Sequence, residues 1–428
     1  MDTVQAMLSS IGSAVLGMAA QPFYYIAVFL IAMHYLRQIR VERQLFAVKL
    51  HNWVRLTLTA IGVGMLIGLG LSAASLFLGP AITPAAVLWL WSIAALLMLV
   101  RIRYLCFAYS AGIIALLQWL AGFTGLASRG DWLGELVASL AAIDAAGLLL
   151  LVALLHLAEA HLVFWHGDRL KTPLFLEGKR GKLVGGYMLQ GFWPIPLLLL
   201  VPVEAGGGAA AGAWDMLPWT PLFAGADSAG WTVVALPMVI GFTELTKTML
   251  PRQKARHTAK GLLVYSLCLA AASIAAWKWP VLLPVAAVFA IALHEALVWR
   301  SSIAERRATP LFVHDARGLR ILGIVPGTPA EAMGLLPGEI LQKVNGKKVY
   351  SKAELYDALA LNPAFCKLEI LNESGELKFA QRARYAGEHH QLGVILAPDE
   401  AANFYAGGLS VSIVGWLKAR KASNRRQA

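Results

Sequence analysis

Residues 323–349 read GIVPGTPAEAMGLLPGEILQKVNGKKV, a dense succession of local structural signals. The apolar, β-branched run 319–325 is strand-like and ends at Pro326-Gly327. Thr328-Pro329-Ala330-Glu331 is a capping box with proline at the first helical position, and Gly334 stops the short helix it opens. Pro337-Gly338-Glu339 turns into the strand 340–344, and Asn345-Gly346 is the preferred two-residue hairpin turn. A second capping box, Ser351 to Glu354, opens a helix to about Leu361 with Leu355 and Leu359 on one face. Strands near 367–371 and 377–383 follow, joined by the turn 372–375, and then Leu392-Gly393-Val394-Ile395-Leu396. These signals predict a small, mostly β module of α/β character over residues 308–400.

Upstream of this module the composition changes. The 428 residues are 58% hydrophobic and only 14% charged, far from the quarter-charged mixture of a soluble globular protein. Of 25 acidic residues, 14 precede Ala308 and 11 lie in residues 308–400. Residues 1–307 therefore read as a polytopic, α-helical membrane domain, and 401–428 as a basic, partly apolar tail suited to the membrane surface. Nine apolar runs have the length of a spanning helix, roughly 14–36, 56–78, 84–100, 104–123, 136–157, 184–203, 231–249, 261–277 and 281–299. A tenth segment, 4–21, either spans or lies on the membrane. The Gly/Ala-rich run 206–212 reads as a flexible loop without chemistry.

Lysine and arginine crowd alternate connections: Arg37 to Arg55, Arg101 and Arg103, Arg169 to Lys182, and Lys247 to Lys260. The connections between them hold only Arg129 and Lys278. Basic residues near helix ends stay in the cytoplasm, so the module at 308–400 is expected there. The net charge of +12 is thereby accounted for by topology and lipid attraction, and nucleic acid is not expected as a partner. No basic n-region precedes the first apolar run, so no cleavable signal peptide is expected.

Catalytic constellations do not close in the linear sequence. His294-Glu295 begins an HExxH pattern, but Val298 stands where the second histidine belongs. His156 and His161 are five apart and diverge on a helix. Cys106, Cys268 and Cys366 have no metal or redox spacing, so neither catalytic residues, a metal site nor a cofactor is expected. Within the apolar runs, Asp144, Glu159, Glu244, Glu295, His156 and His294 are the ionisable groups that need explaining.

The order of strand, PGTPA helix, GLLPGE turn and NG turn in residues 323–349 resembles the core of a bacterial, circularly permuted PDZ domain. That resemblance implies a carboxylate-binding loop at Gln391-Leu392-Gly393-Val394. It also implies a peptide groove in which Val394 and Ile395 face the 351–361 helix with Leu355 and Leu359; Gly318-Leu319-Arg320-Ile321 is the rival loop. Such grooves take an extended peptide as an added strand.

A polytopic segment before one such domain resembles the MinJ-type topology determinants of the Gram-positive Min system, most specifically in HLAEAHLVFWHGDRLKTPLFLEGKRGKLVGGYMLQGFWP, residues 156–194. The resemblance implies a non-enzymatic membrane adaptor at septum and poles, linking a DivIVA-like scaffold to MinC and a MinD-like ATPase and restricting FtsZ assembly near poles. The alternatives are a PDZ-bearing intramembrane protease or protease regulator and, third, a transporter. The loop 168–182, with its apolar centre 173–177, is a candidate re-entrant or docking segment.

Overall fold

The computed structural model describes residues 2–79, 82–178, 181–203, 219, 221–223, 230–383 and 392–399. The helices are α1 (Asp2–Ala20), α2 (Pro22–Phe46), α3 (Trp53–Leu78), α4 (Pro84–Val100), α5 (Phe107–Ala121), α6 (Trp132–Ala141) and α7 (Ala145–His166). Strands β1 (Lys171–Glu177), β2 (Leu183–Val203) and β3 (Gly230–Thr246) come next, then α8 (Pro251–Lys278) and α9 (Leu283–Arg307). Among the described residues, α3, α7, α8 and the segment Pro280–Arg307 are long and apolar enough to cross a membrane. The pair α1 and α2, bent by 51° at Gln21-Pro22, adds a fifth if counted as one span. Proline at position 22 cannot donate to a continuing helix, which explains the break.

The apolar run at 136–157 is interrupted. Asp144 accepts a hydrogen bond from Gly147 N at 2.8 Å and caps α7, so this ionisable group of an apolar run marks the start of a new helix.

Two of the nine expected spanning helices are not helices. Residues 184–203 and 231–249 fall largely within β2 and β3, a long antiparallel hairpin running in register from Tyr187 opposite Thr246 to Val203 opposite Gly230. Strand β1 extends the sheet on the other side of β2, with Lys171 opposite Leu189 and Glu177 opposite Leu183. The segment 173–177 is therefore a paired strand, with Leu174 buried and Phe175 edge-on to Phe46, and not a re-entrant loop. Periodicity could not tell these largely apolar runs from helix, but Pro194, Pro196 and Pro237 are foreign to a helix interior.

The hairpin tolerates an apolar setting because helices cover its edges. Ala60, Gly64, Gly68, Ser72 and Ser75 form a buried stripe of small residues on α3. The Ser72 hydroxyl accepts from Leu198 N at 2.9 Å, and Ser75 donates to Leu198 O at 3.1 Å. By the alternation of a strand, Pro194 and Pro196 turn the same way as Leu198, so their missing N–H groups cost the ladder nothing. On the outer edge of β3, Val233 N donates to Ser10 Oγ at 3.2 Å and Ala235 O accepts from Gln21 Nε2 at 3.1 Å. Unpaired backbone groups facing lipid would cost several kcal/mol each, roughly.

The second sheet contains β4 (Leu319–Ile324), β5 (Ile340–Val344), β6 (Lys347–Lys348), β7 (Phe365–Leu371), β8 (Leu377–Ala383) and β9 (Val394–Leu396). Its order is β8-β7-β5-β4-β9, with β6 paired to β5. The helices are the four-residue α10 (Pro329–Ala332) and α11 (Lys352–Ala360). Both capping boxes are used in part: Glu331 receives Gly327 N and Glu354 receives Tyr350 N, while Ser351 Oγ accepts from Glu354 N. The positive φ values of Asn345 and Gly346, 50° and 82°, are those of the hairpin turn read from the sequence. The fold class accordingly stands as helix-rich with apolar helices, then a small strand-rich module.

The two parts touch. Gly185 N donates to Phe312 O at 2.7 Å, Tyr187 Oη donates to Leu322 O, and Leu311 N donates to Lys247 O at 2.8 Å. The run 206–212, the tail 401–428 and Gln391 lie outside the described residues.

Candidate functional site

Strand β9 ends the order of its sheet, and among the described residues its one partner there is β4, with Val394 opposite Ile324 and Ile395 opposite Gly323. Three bonds fix how the segment sits: Val325 N to Gly393 O at 2.8 Å, Ala330 N to Leu392 O at 3.0 Å, and Ala397 N to Arg320 O at 2.9 Å. Since residues 393 and 397 turn their backbone toward β4, alternation turns the N–H and C=O of Val394 to the other edge. An edge with unpaired backbone groups is the template for strand addition.

Side chains alternate as well. Leu392 is buried in one apolar cluster with Leu355 and Leu359 of α11, and Val394 and Leu396 pack against that cluster half-buried. Ile395 is buried on the opposite face, in the cluster of Phe312 and Leu322. The sequence reading that put Ile395 in the groove beside Val394 is thus corrected by the pleat: neighbours in a strand point to opposite faces. Leu396, two positions from Val394, is the residue that shares its face, as period two would have it.

Gly393 has φ of +85°, and a Cβ there would run into the Thr328 side chain. Glycine is required at this bend on both counts. The rival loop at Gly318 leads into β4, which is paired with both β5 and β9 and so has no free edge.

Elsewhere, four of the ionisable groups of the apolar runs, Glu244, Glu295, His156 and His294, enter two clusters. Lys254 is buried, with Nζ 3.4 Å from Glu244, 3.3 Å from Glu305 and 2.8 Å from Ser301 Oγ. It joins β3, α8 and α9. The second cluster brings together Cys106, which precedes α5, with His156 of α7 and His294 of α9, their donor atoms all within 4.8 Å of one another. These residues are 50 and 188 positions apart along the pairs Cys106–His156 and Cys106–His294, so no local spacing in the sequence reveals them. Glu295, the second residue of the incomplete HExxH pattern, accepts from Tyr109 Oη at 2.7 Å and pairs with Arg103. His161 is exposed and outside the cluster.

A family model described as PDZ domain matches residues 320–370. The cell division topological determinant MinJ of Bacillus subtilis (strain 168) is 32% identical over 249 residues, covering 58% of this chain and 61% of that protein, somewhat under two thirds of its length. Proteins described as probable cell division topological determinant MinJ from Lacticaseibacillus paracasei and from Lacticaseibacillus casei (strain BD-II) are each 32% identical over 295 residues. Each match covers 63% of this chain and 73% of the relative.

Proposed function

We propose, from the premise that the chain belongs to the MinJ family of cell division topological determinants, that it is a non-enzymatic membrane adaptor of division-site selection. Its helices hold it in the cell membrane as a multi-pass protein. The lysines and arginines of alternate connections support a cytoplasmic side for the module at 308–400, and the family reading adds enrichment at septum and poles. There it links a DivIVA-like polar scaffold to MinC and a MinD-like ATPase and so restricts FtsZ assembly near the poles.

The observation that carries the reading is the outward edge of β9 next to Leu355 and Leu359 of α11. A partner segment added there pairs its main chain with Val394 and sets alternate side chains against Val394, Leu396 and α11. Backbone pairing supplies affinity with little dependence on sequence, and the apolar floor supplies selection. Against hydrolysis stands the engagement of Glu295 by Tyr109 and Arg103, which takes up the carboxylate an HExxH protease would use as its base.

The test is localisation of a fluorescent full-length fusion together with deletion of the gene. Enrichment at septum and poles, with filamentous or minicell-forming cells on deletion, is expected. Uniform membrane fluorescence with an accumulating uncleaved substrate in the deletion strain would reject the adaptor in favour of a protease.

A further inference from the structure

The adaptor reading makes no use of Cys106, His156 and His294, and the hydrogen-bond arithmetic among them does not balance. His156 Nδ1 lies 2.8 Å from Val152 O, a pure acceptor, so that nitrogen carries the proton and Nε2 has a bare lone pair. His294 Nδ1 lies 3.1 Å from Tyr109 Oη, and the Tyr109 proton is directed to Glu295 Oε2 at 2.7 Å. The tyrosine oxygen therefore accepts from His294 Nδ1–H, and His294 Nε2 is bare too. Both bare nitrogens face the same sulfur, at 3.3 Å for His156 and 3.6 Å for His294. One thiol proton satisfies one of them and leaves the other without a donor.

We propose that Cys106, His156 and His294 hold a thiophilic metal ion, Zn²⁺ or Cu⁺, through one thiolate and two imidazoles. The inference stands apart from the adaptor reading. With metal–sulfur near 2.3 Å and metal–nitrogen near 2.0 Å, tetrahedral angles put sulfur and nitrogen about 3.5 Å apart, close to the two separations found. The ion satisfies both nitrogens at once, and the thiol proton leaves to solvent on binding, with no change of oxidation state. One sulfur and two imidazole donors without a carboxylate suit Zn²⁺ or Cu⁺ rather than Mg²⁺ or Ca²⁺.

The outer contacts are those of a built metal site: each histidine is oriented through its Nδ1, one by a backbone carbonyl and the other by a tyrosine backed by Glu295. Glu295 props His294 from behind, so the ion is a clamp across α7, α9 and the residue preceding α5. A fourth position remains for water or another donor.

The experiment uses the full chain in lipid nanodiscs, purified by a tag without histidine, loaded with Zn²⁺ or with Cu⁺ kept reduced, and washed. Elemental analysis should find about one ion per chain, and competition between the two metals identifies which is preferred. Cys106→Ser, His156→Ala and His294→Ala should each fall to background, while His161→Ala and Cys268→Ser should retain the ion. Tyr109→Phe should weaken binding by about 10- to 100-fold. Loading with Co²⁺ should give a thiolate-to-metal charge-transfer band that Cys106→Ser lacks.

Where a ligand variant fails to fold, maleimide labelling decides: with Cys268 and Cys366 replaced by serine, metal should slow the labelling of Cys106 and a chelator should restore it. The proposal is overturned by wild-type protein holding no more metal than Cys106→Ser, by metal that persists in all three ligand variants, or by labelling indifferent to metal.

Discussion

The Ser72 hydroxyl stands 2.9 Å from the backbone nitrogen of Leu198 and hands its own proton to Gly68 O at 2.7 Å, so one side chain of α3 satisfies the edge of β2 without disturbing its own helix. The contact requires the helix and strand backbones to come close, and the small-residue stripe at Ala60, Gly64, Gly68 and Ser72 is what lets them. A Cβ on Gly64 would fall on the Pro194 carbonyl oxygen, a backbone atom that cannot swing away.

Gly64→Leu is therefore expected to lower the thermal stability of the detergent-solubilised chain, by the equivalent of about 1–3 kcal/mol or more, since overpacking against backbone has no soft response. Gly62, two residues earlier on the same helix, has nothing within 4 Å of its would-be Cβ. Gly62→Leu should leave melting nearly unchanged. Equal losses in the two variants would mean that the β2 hairpin does not lie on this face of α3.

How much of this was legible in the sequence depends on whether the deciding interaction is local. The turn at Asn345-Gly346 and the cap of Ser351 on Glu354 N are contacts within a few residues, and the sequence states them directly. Residues 184–203 are apolar almost throughout, and there the deciding contacts come from α3, over a hundred positions away. Pro194 and Pro196 in its middle, with Pro202 near its end, signalled that the run was no helix. The same limit applied to the candidate sites. Leu392, Leu355 and Leu359 do share a cluster, while Ile395 was misplaced by a one-residue error of face. Cys106, His156 and His294 could not be joined at all without the packing of three helices.

Lys254 is expected to be far more costly to remove than a surface lysine. Its side chain is 2% exposed and lies between Glu244 and Glu305, which face each other's charge without it. Lys254→Met should destabilise by about 3–5 kcal/mol, because two carboxylates lose their shared cation in a poorly solvated place. Adding Glu244→Gln to that variant should recover part of the loss in a thermal melt. A double variant no better than the single one would show that the cluster's charge is screened by solvent.

Acid should act on the junction before β4. Asp315 accepts from Arg317 Nε at 3.0 Å and Arg320 Nη2 at 2.6 Å, and these partners, Arg317 foremost, hold its carboxyl well below the usual carboxylate range. A carboxyl depressed in the folded state stabilises the fold above its unfolded value of about 3.9 and surrenders that contribution as pH falls toward the folded value. The melting temperature of the wild type should thus approach that of Asp315→Asn as pH drops below about 4, with the gap widest near neutrality. A gap independent of pH would assign the effect to lost packing and not to charge.

The groove needs a probe that spares the fold, and Gly393 is the wrong place for one. A carboxylate at Gly393 would oppose a bound peptide terminus, but Gly393→Asp also forces a side chain onto φ of +85° and into Thr328, so lost binding would be confounded with lost structure. Gly318→Asp fails as a control for the same reason, since φ there is +151° and a Cβ meets the Leu341 carbonyl. Val394 is half-buried, its backbone turned to the open edge and its side chain to the cluster of Leu355 and Leu359. Val394→Glu can swing its carboxylate toward solvent in the free protein, yet an arriving strand would have to desolvate it without a partner. Binding should weaken by about 1–3 kcal/mol, with the melting temperature little changed. The measurement is recruitment, in cells, of the partner proposed above, alongside a thermal melt of the purified full chain. Should recruitment survive Val394→Glu and instead fail when exposed residues of the β1–β2 turn are changed, the edge of β9 is idle and partners dock on the membrane-proximal hairpin.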